Sequence, residues 1–103
     1  MSIAETILEQ LGGHRFIAMT GARNLLNCRD SLRFRIPGNI TKHRINSVEI
    51  VLTPDDLYTM KFGKVTIRKN GDFEFKIISE HEDIYFDQLQ EIFTEETGLY
   101  THL

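Results

Sequence analysis

The sequence predicts an α+β fold in a single domain over residues 1–103, an antiparallel sheet of about five strands covered on one face by N- and C-terminal helices. Three observations predict this fold. Apolar residues recur at helical spacing near both ends of the chain, and they alternate with polar residues through its middle. Asn70-Gly71 lies between two alternating runs, which is typical of a β-hairpin.

The composition is that of a globular protein, with 41% hydrophobic residues, 26% charged residues and one cysteine. Cys28 alone cannot form an intramolecular disulfide. The first residues lack the basic and apolar segments of a secretory signal, and no apolar run approaches the ~18 residues that span a bilayer. We therefore expect a cytoplasmic location and no membrane partner.

The N-terminal segment predicts a short amphipathic helix over about residues 2–11. Ser2 and Glu5 have the spacing of a capping box, and Gly12-Gly13 is a typical helix end. The apolar stripe of this helix consists of Ile3, Ile7, Leu8 and Leu11. The next apolar run, Phe16–Met19, predicts a central strand because it is apolar on both faces. The segment from 22 to 27 is ambiguous, since its leucines fit either a helical turn or a loop.

Three alternating runs predict further strands. Every second residue of Ser31–Ile36 is apolar, which is typical of a half-buried strand, and a polar loop follows through Arg44. A second run begins at Val48 and a third at Tyr58, separated by Thr53–Asp56, which predicts a turn in preference to a short helix. The apolar members of these runs are Leu32, Phe34, Ile36, Val48, Ile50, Leu52, Tyr58, Met60 and Phe62.

The hairpin register follows from the side-chain pattern. A two-residue loop would place charged residues opposite apolar ones on the core face. A three-residue loop over residues 69–71 instead pairs Ile67 with Phe73 and Val65 with Phe75. The pattern therefore predicts the three-residue loop, with its glycine in the left-handed conformation and with both phenylalanines in the core.

The C-terminal segment predicts a second covering helix. Ser79–Glu82 has the residues of a capping box, and acidic side chains suit a helix N-terminus. Apolar residues follow at helical spacing, Gly98 predicts the helix end, and Leu99 can fold back onto the last turn. The predicted core comprises Leu32, Phe34, Val48, Ile50, Phe73, Phe75, Leu89 and Phe93.

Three stretches of the chain resemble a group of short proteins encoded by tailed bacteriophages and prophages. They are residues Phe16–Asn24, Leu57–Lys64 and Thr97–Leu103, in the same order, and the resemblance spans most of the chain. The group carries no assigned activity, so no catalytic residue follows from it. The resemblance implies a viral gene product in the bacterial host cytoplasm. Short early phage proteins often bind host machinery, including restriction and CRISPR nucleases.

The sequence predicts no catalytic residue, metal site or cofactor, and thus a protein that is not an enzyme. The four histidines His14, His43, His81 and His102 lack the helical spacing of a metal site. An acidic set of metal ligands around His81, a nucleophile at Cys28 and an anion cradle at Thr20–Asn24 are alternatives. An acidic helix start, a small buried or half-buried residue and a plain turn are favoured at these three places.

Charge is distributed unevenly along the chain. Residues 1–47 hold seven Lys/Arg and three Asp/Glu residues, whereas residues 48–103 hold five Lys/Arg and twelve Asp/Glu residues. The acidic C-terminal helix predicts a surface that binds a host or viral protein, as an inhibitor of a defence nuclease would. Its residues are Asp87, Glu91, Glu95 and Tyr100. The alternative is a basic sheet face that binds nucleic acid through Arg23, Arg33, Arg35, Lys42 and Arg44. The oligomeric state stays open.

Overall fold

In the computed structural model, which describes residues 2–101, a five-stranded antiparallel sheet carries its helices on one face. The helices are α1 (Ile3–Leu11), α2 (His14–Thr20) and α3 (Leu89–Thr97). The strands are β1 (Arg23–Asn27), β2 (Ser31–Arg35), β3 (Ser47–Leu52), β4 (Tyr58–Ile67) and β5 (Phe73–Ile84), and single 3₁₀ turns lie at Lys42–Arg44 and Phe86–Gln88. His102 and the end of the 97–103 stretch named above lie outside the described residues.

Each strand of the sheet pairs with the next one along the chain, in the order β1-β2-β3-β4-β5. The core lies between the inner face of β2, β3 and β4 and the apolar sides of the three helices. At its centre the Phe16 ring makes edge contacts with Phe34 at 5.4 Å and Phe93 at 5.1 Å between ring centroids. The predicted fold class is confirmed. No helix within residues 2–101 has both the length and the apolar character to cross a membrane.

The N-terminal helix is confirmed in its start, its end and its buried side. The Glu5 amide donates to Ser2 Oγ at 3.1 Å, as the capping pattern predicts. Ile7 and Leu11 are fully buried. Gly12 ends the helix, and its backbone N–H donates to carbonyls of the last turn.

The strand predicted at Phe16–Met19 is wrong, because these residues belong to helix α2. Phe16 and Thr20 lie four residues apart and are buried on one side of the helix, whereas Ala18 faces outward and is exposed. Gly21 then ends the helix in the left-handed conformation. A short apolar run fits a buried strand and a buried helical turn equally well, and here packing around the Phe16 ring selects the helix. The ambiguous segment after it forms β1.

The helix start predicted at Ser79–Glu82 is also wrong, because β5 continues through these residues to Ile84. Glu80 pairs with Lys61 of β4 in the ladder, and Ile84 is buried opposite Tyr58. Pairing with β4 therefore supplies the hydrogen bonds of these backbone groups. A helix cap would otherwise have supplied them locally. Helix α3 begins only at Leu89, and Gly98 ends it as predicted.

The predicted hairpin register is confirmed, but the predicted burial of its phenylalanines is wrong. Ile67 pairs with Phe73, Val65 pairs with Phe75, and Gly71 has φ +91°. Yet Phe73 is 74% exposed and Phe75 is 49% exposed. The other six predicted core residues are buried: Leu32, Phe34, Val48, Ile50, Leu89 and Phe93.

Phe73 and Phe75 are exposed because the apolar residues of β4 change from even-numbered to odd-numbered positions along the strand. Its buried side chains are the even-numbered Tyr58, Met60 and Phe62, whereas Val65 and Ile67 are odd-numbered. In one continuous strand, side chains of opposite parity point to opposite faces of the sheet. The apolar residues at the hairpin end therefore lie on the face opposite the helices, here called the outer face.

Candidate protein-binding surface

Gly63 lies where the apolar residues of β4 change from the inner to the outer face. A Cβ atom added to Gly63 would lie 2.8 Å from Phe75 Cε2 and Cζ and 2.7 Å from the Lys76 carbonyl oxygen. The absence of a side chain at Gly63 therefore lets the Phe75 ring rest against the backbone of β4. This contact holds the ring on the outer face while about half of it stays in solvent.

Apolar side chains from both edges of the sheet line a single groove of about 580 Å³ on the outer face. Leu26 of β1 lies on one side, and residues of β4 and β5 lie on the other, so the sheet curves around the groove. Leu26 is 55% exposed and Ile67 is 72% exposed. This groove is called the outer-face groove below. Its apolar lining is Leu26, Val65, Ile67, Phe73 and Phe75, together with Phe34, which is fully buried. We therefore take this exposed apolar surface as the candidate protein-binding surface.

A row of alternating charges crosses the outer face, in contrast to the predicted basic face, and two of its members, Arg33 and Glu49, line the groove. Arg33, Glu49, Lys61 and Glu80 lie opposite one another across β2, β3, β4 and β5. Arg33 Nη2 donates to Glu49 Oε2 at 2.8 Å, and Lys61 Nζ lies 4.0 Å from Glu80 Oε1. The hydrogen bond and charge of Glu49 raise the pKa of Arg33 above its ordinary value. Each basic side chain in this row therefore has an acidic neighbour.

The five basic residues of the predicted nucleic-acid surface fall into two places. Arg23 and Arg35 lie opposite each other in β1 and β2, on the same outer face as Arg33. Lys42 and Arg44 lie in the turn beside α3 instead, and Lys42 Nζ donates to the Glu95 carbonyl at 3.0 Å. Lys42 thus binds a carbonyl in the last turn of α3, where its positive charge stabilises the end of the helix.

The predicted acidic surface is exposed throughout. Glu91 and Glu95 lie one helical turn apart in α3, and both are exposed on one side of the helix. Asp87, in the 3₁₀ turn before α3, is also exposed, and Tyr100 is 69% exposed beyond Gly98. The role of these four residues in protein binding stays a prediction.

A cluster that the sequence analysis missed joins β5 to α3. His81 Nε2 lies 2.8 Å from Glu96 Oε1 and 3.2 Å from Ser79 Oγ. A serine–histidine–carboxylate relay needs the hydroxyl and the carboxylate on different ring nitrogens, whereas here both contact the same nitrogen. The cluster therefore fastens the helix to the strand. The misassigned helix at 79–82 concealed it, because His81 was expected in a solvated helix start.

The other predicted chemical features have structural explanations. Thr20 Oγ1 donates to the Phe16 carbonyl and accepts from the Ala22 backbone N–H, so residues 20–22 form the end of α2, and β1 begins at Arg23. Cys28 is half-buried. Among residues 2–101, no group of three or more His, Cys, Asp or Glu side chains is placed to hold a metal ion.

Comparison of the chain with protein-family models, curated proteins and solved structures finds no match. The function is therefore argued from the surface itself.

Proposed function

We propose that the protein is a non-enzymatic binding protein that holds an apolar segment of a partner protein in the outer-face groove. The observation that carries this proposal is the exposure of Leu26, Ile67 and Phe73, all more than half exposed, around one groove. Fully burying a large apolar side chain contributes about 1.5–3 kcal/mol. Covering Phe73, which is 74% exposed, therefore contributes about 1–2 kcal/mol to binding.

The charges near the groove define the partner further. Arg35 lines the groove, and Arg23 lies directly opposite it in the neighbouring strand. Within residues 2–101 neither guanidinium pairs with a carboxylate, and Arg35 Nε donates only to the Asn46 carbonyl. Two like charges side by side repel, and a carboxylate of the partner would relieve that repulsion. The occupant that fits is an apolar segment flanked by an acidic residue.

The resemblance to phage proteins supports a host or viral protein of the bacterial cytoplasm as the partner, with a defence nuclease as the most specific form. The exposed acidic side of α3 is then a second contact surface, suited to a basic channel of such a nuclease. Nucleic-acid binding is the less favoured function, since Glu49 and Glu80 alternate with the basic residues of the outer face.

A displayed library of random peptides, selected against the wild-type protein, tests the groove. We expect the enriched peptides to combine apolar residues with an acidic flank. Phe73→Ser should weaken their binding roughly tenfold, because 1.4 kcal/mol corresponds to a factor of ten. The matched control is Phe86→Ser, since Phe86 is 61% exposed but does not line the groove. Equal losses in the two variants, or a selection that enriches no apolar peptide, would contradict the proposal.

A further inference from the structure

β5 ends the sheet, so within residues 2–101 one of its edges pairs with β4 and the other faces no strand. The direction of its backbone groups follows from contacts of Asn46. Val65 N–H donates to Asn46 Oδ1 at 2.8 Å, and the Val65 carbonyl accepts from Asn46 Nδ2 at 3.0 Å. The Gly63 carbonyl accepts from the backbone N–H of Asn46 at 3.0 Å. Val65 and Gly63 therefore turn their backbone groups toward β3 and away from β5.

The β5 partners of these two residues are Phe75 and Ile77. Antiparallel pairs alternate between hydrogen-bonded and non-hydrogen-bonded, and both of these pairs are of the second kind. Phe73, two residues before Phe75, follows the same alternation. The backbone N–H and C=O groups of Phe73, Phe75 and Ile77 thus point outward along the open edge. Unpaired groups of this kind are a template for another strand.

The side chains of this segment are complementary to themselves in the antiparallel direction. With a two-fold axis at Phe75, Phe75 lies opposite Phe75 of a second copy, and Phe73 lies opposite its Ile77. Glu74 then lies opposite Lys76 of the second copy, and the reverse pair forms by symmetry. Sliding the register by two residues either way would place Lys76 opposite Lys76 or Glu74 opposite Glu74. Only the register centred on Phe75 pairs every charge with its opposite.

Lys76 also lacks an acidic partner among the residues that the structure describes. Its direct neighbour in β4 is Lys64, and within residues 2–101 neither lysine forms an ion pair. Two lysines directly opposite each other are destabilising, and Glu74 of a second copy would bring a carboxylate to this site. Glu74 already accepts a hydrogen bond from Arg68, and a carboxylate has room for a second donor.

From the open backbone groups and the self-complementary charges, we propose that the protein forms a symmetric dimer in which the Phe73–Ile77 segments of two copies pair as antiparallel edge strands. The axis is perpendicular to the sheet, so both outer-face grooves lie on the same side of one continuous sheet. The other edge does not extend the assembly, because β1 is short and carries a bulge between Arg23 and Leu26. The assembly therefore closes at two copies. This proposal does not depend on any ligand of the groove.

Sedimentation velocity of charge variants tests the dimer. We expect the wild-type protein to sediment at twice its chain mass of 12.0 kDa. Glu74→Lys and Lys76→Glu each place like charges opposite one another in the dimer, and each should weaken it at least tenfold. The double exchange Glu74→Lys with Lys76→Glu should restore it. An equimolar mixture of the two single variants should form a heterodimer, because every cross-strand charge is then paired.

Amide hydrogen exchange supplies the second measurement. Protection of the Phe73, Phe75 and Ile77 amides should rise with protein concentration in the wild type, but not in the single variants. A wild-type protein that stays monomeric at its highest soluble concentration would overturn the proposal. So would a dimer that is indifferent to both charge reversals. Neither variant alters the apolar lining of the groove, so peptide binding through Phe73 can still be measured in a protein that does not dimerise.

Discussion

Gly63→Ala tests the contact that places Phe75 on the outer face. The added methyl would lie 2.7 Å from the Lys76 carbonyl oxygen and 2.8 Å from two atoms of the Phe75 ring. Overpacking of this kind costs about 1–3 kcal/mol, and the lower entropy of the unfolded alanine chain offsets about 0.4–1 kcal/mol. We expect a net loss of about 1–2 kcal/mol in the free energy of unfolding, out of a total on the order of 5–10 kcal/mol.

The same substitution in a Phe75→Ala background separates the two clashes. Phe75→Ala alone should cost about 1–2 kcal/mol, less than the 3–5 kcal/mol of a fully buried phenylalanine, because half of the ring is already exposed. Without the ring, only the contact with the Lys76 carbonyl remains. The further cost of Gly63→Ala should therefore fall by about half, which gives a coupling energy on the order of 1 kcal/mol.

Urea unfolding followed by circular dichroism measures these values, since the chain has no tryptophan. Gly71→Asn is the control, because a Cβ at Gly71 meets nothing within 4 Å and asparagine tolerates its φ of +91°. We expect that control to cost less than about 1 kcal/mol, all of it from the positive φ, and to show no coupling with Phe75→Ala. An unchanged stability in Gly63→Ala, or strict additivity with Phe75→Ala, would refute the packing of the Phe75 ring on Gly63.

Two further predictions concern the core and the hairpin turn. Phe93→Ala should cost about 3–5 kcal/mol in urea unfolding, because the fully buried ring contacts three other phenylalanine rings, and near-wild-type stability would contradict the core described above. Gly71→Val should lower the melting temperature by an amount equivalent to about 1–2 kcal/mol, since a β-branched side chain resists the positive φ. A Gly71→Val protein as stable as Gly71→Asn would refute the left-handed turn.

The sequence predicts the middle of this fold well because the relevant signals are local. The alternation in Ser31–Ile36 determines which side of β2 is buried, and the three-residue turn ending at Gly71 determines the register of β4 with β5. Both depend on residues that are near neighbours in the chain. The boundaries of α1 likewise depend on Ser2 and Gly12, which lie at its two ends.

The wrong predictions concern segments whose conformation is decided by distant residues. Phe16–Met19 is helical because the Phe16 ring packs between β2 and α3, and Ser79–Glu82 is a strand because β4 extends far enough to pair with it. The exposure of Phe73 and Phe75 could be predicted from the change at Gly63 from even-numbered to odd-numbered apolar positions in β4. That inference requires β4 to run uninterrupted through the glycine, and an isolated glycine in a strand pattern does not establish this.

Of the features described, the candidate site was the hardest to predict from the sequence. The outer-face groove joins Leu26 to residues of the hairpin, which are 39 to 49 positions away in the chain, through the curvature of the sheet. The alternation in β2 and β3 predicts that Glu49 shares the outer face with Arg33, but their direct pairing depends on the register of β2 with β3. Exposed charges such as Glu91 and Glu95 were easier to identify, because helical spacing alone defines their common side.

We propose that the outer-face groove, and not the acidic side of α3, is the main binding surface. The most direct test titrates one peptide from the display selection against three proteins: the wild type, Ile67→Ser with Phe73→Ser, and Glu91→Lys with Glu95→Lys. Both double variants change exposed side chains, so both should fold. We expect the first double variant to lose binding at least tenfold and the second to bind within about twofold of the wild type. Loss of binding in the second variant with retention in the first would contradict the assignment of binding to the groove.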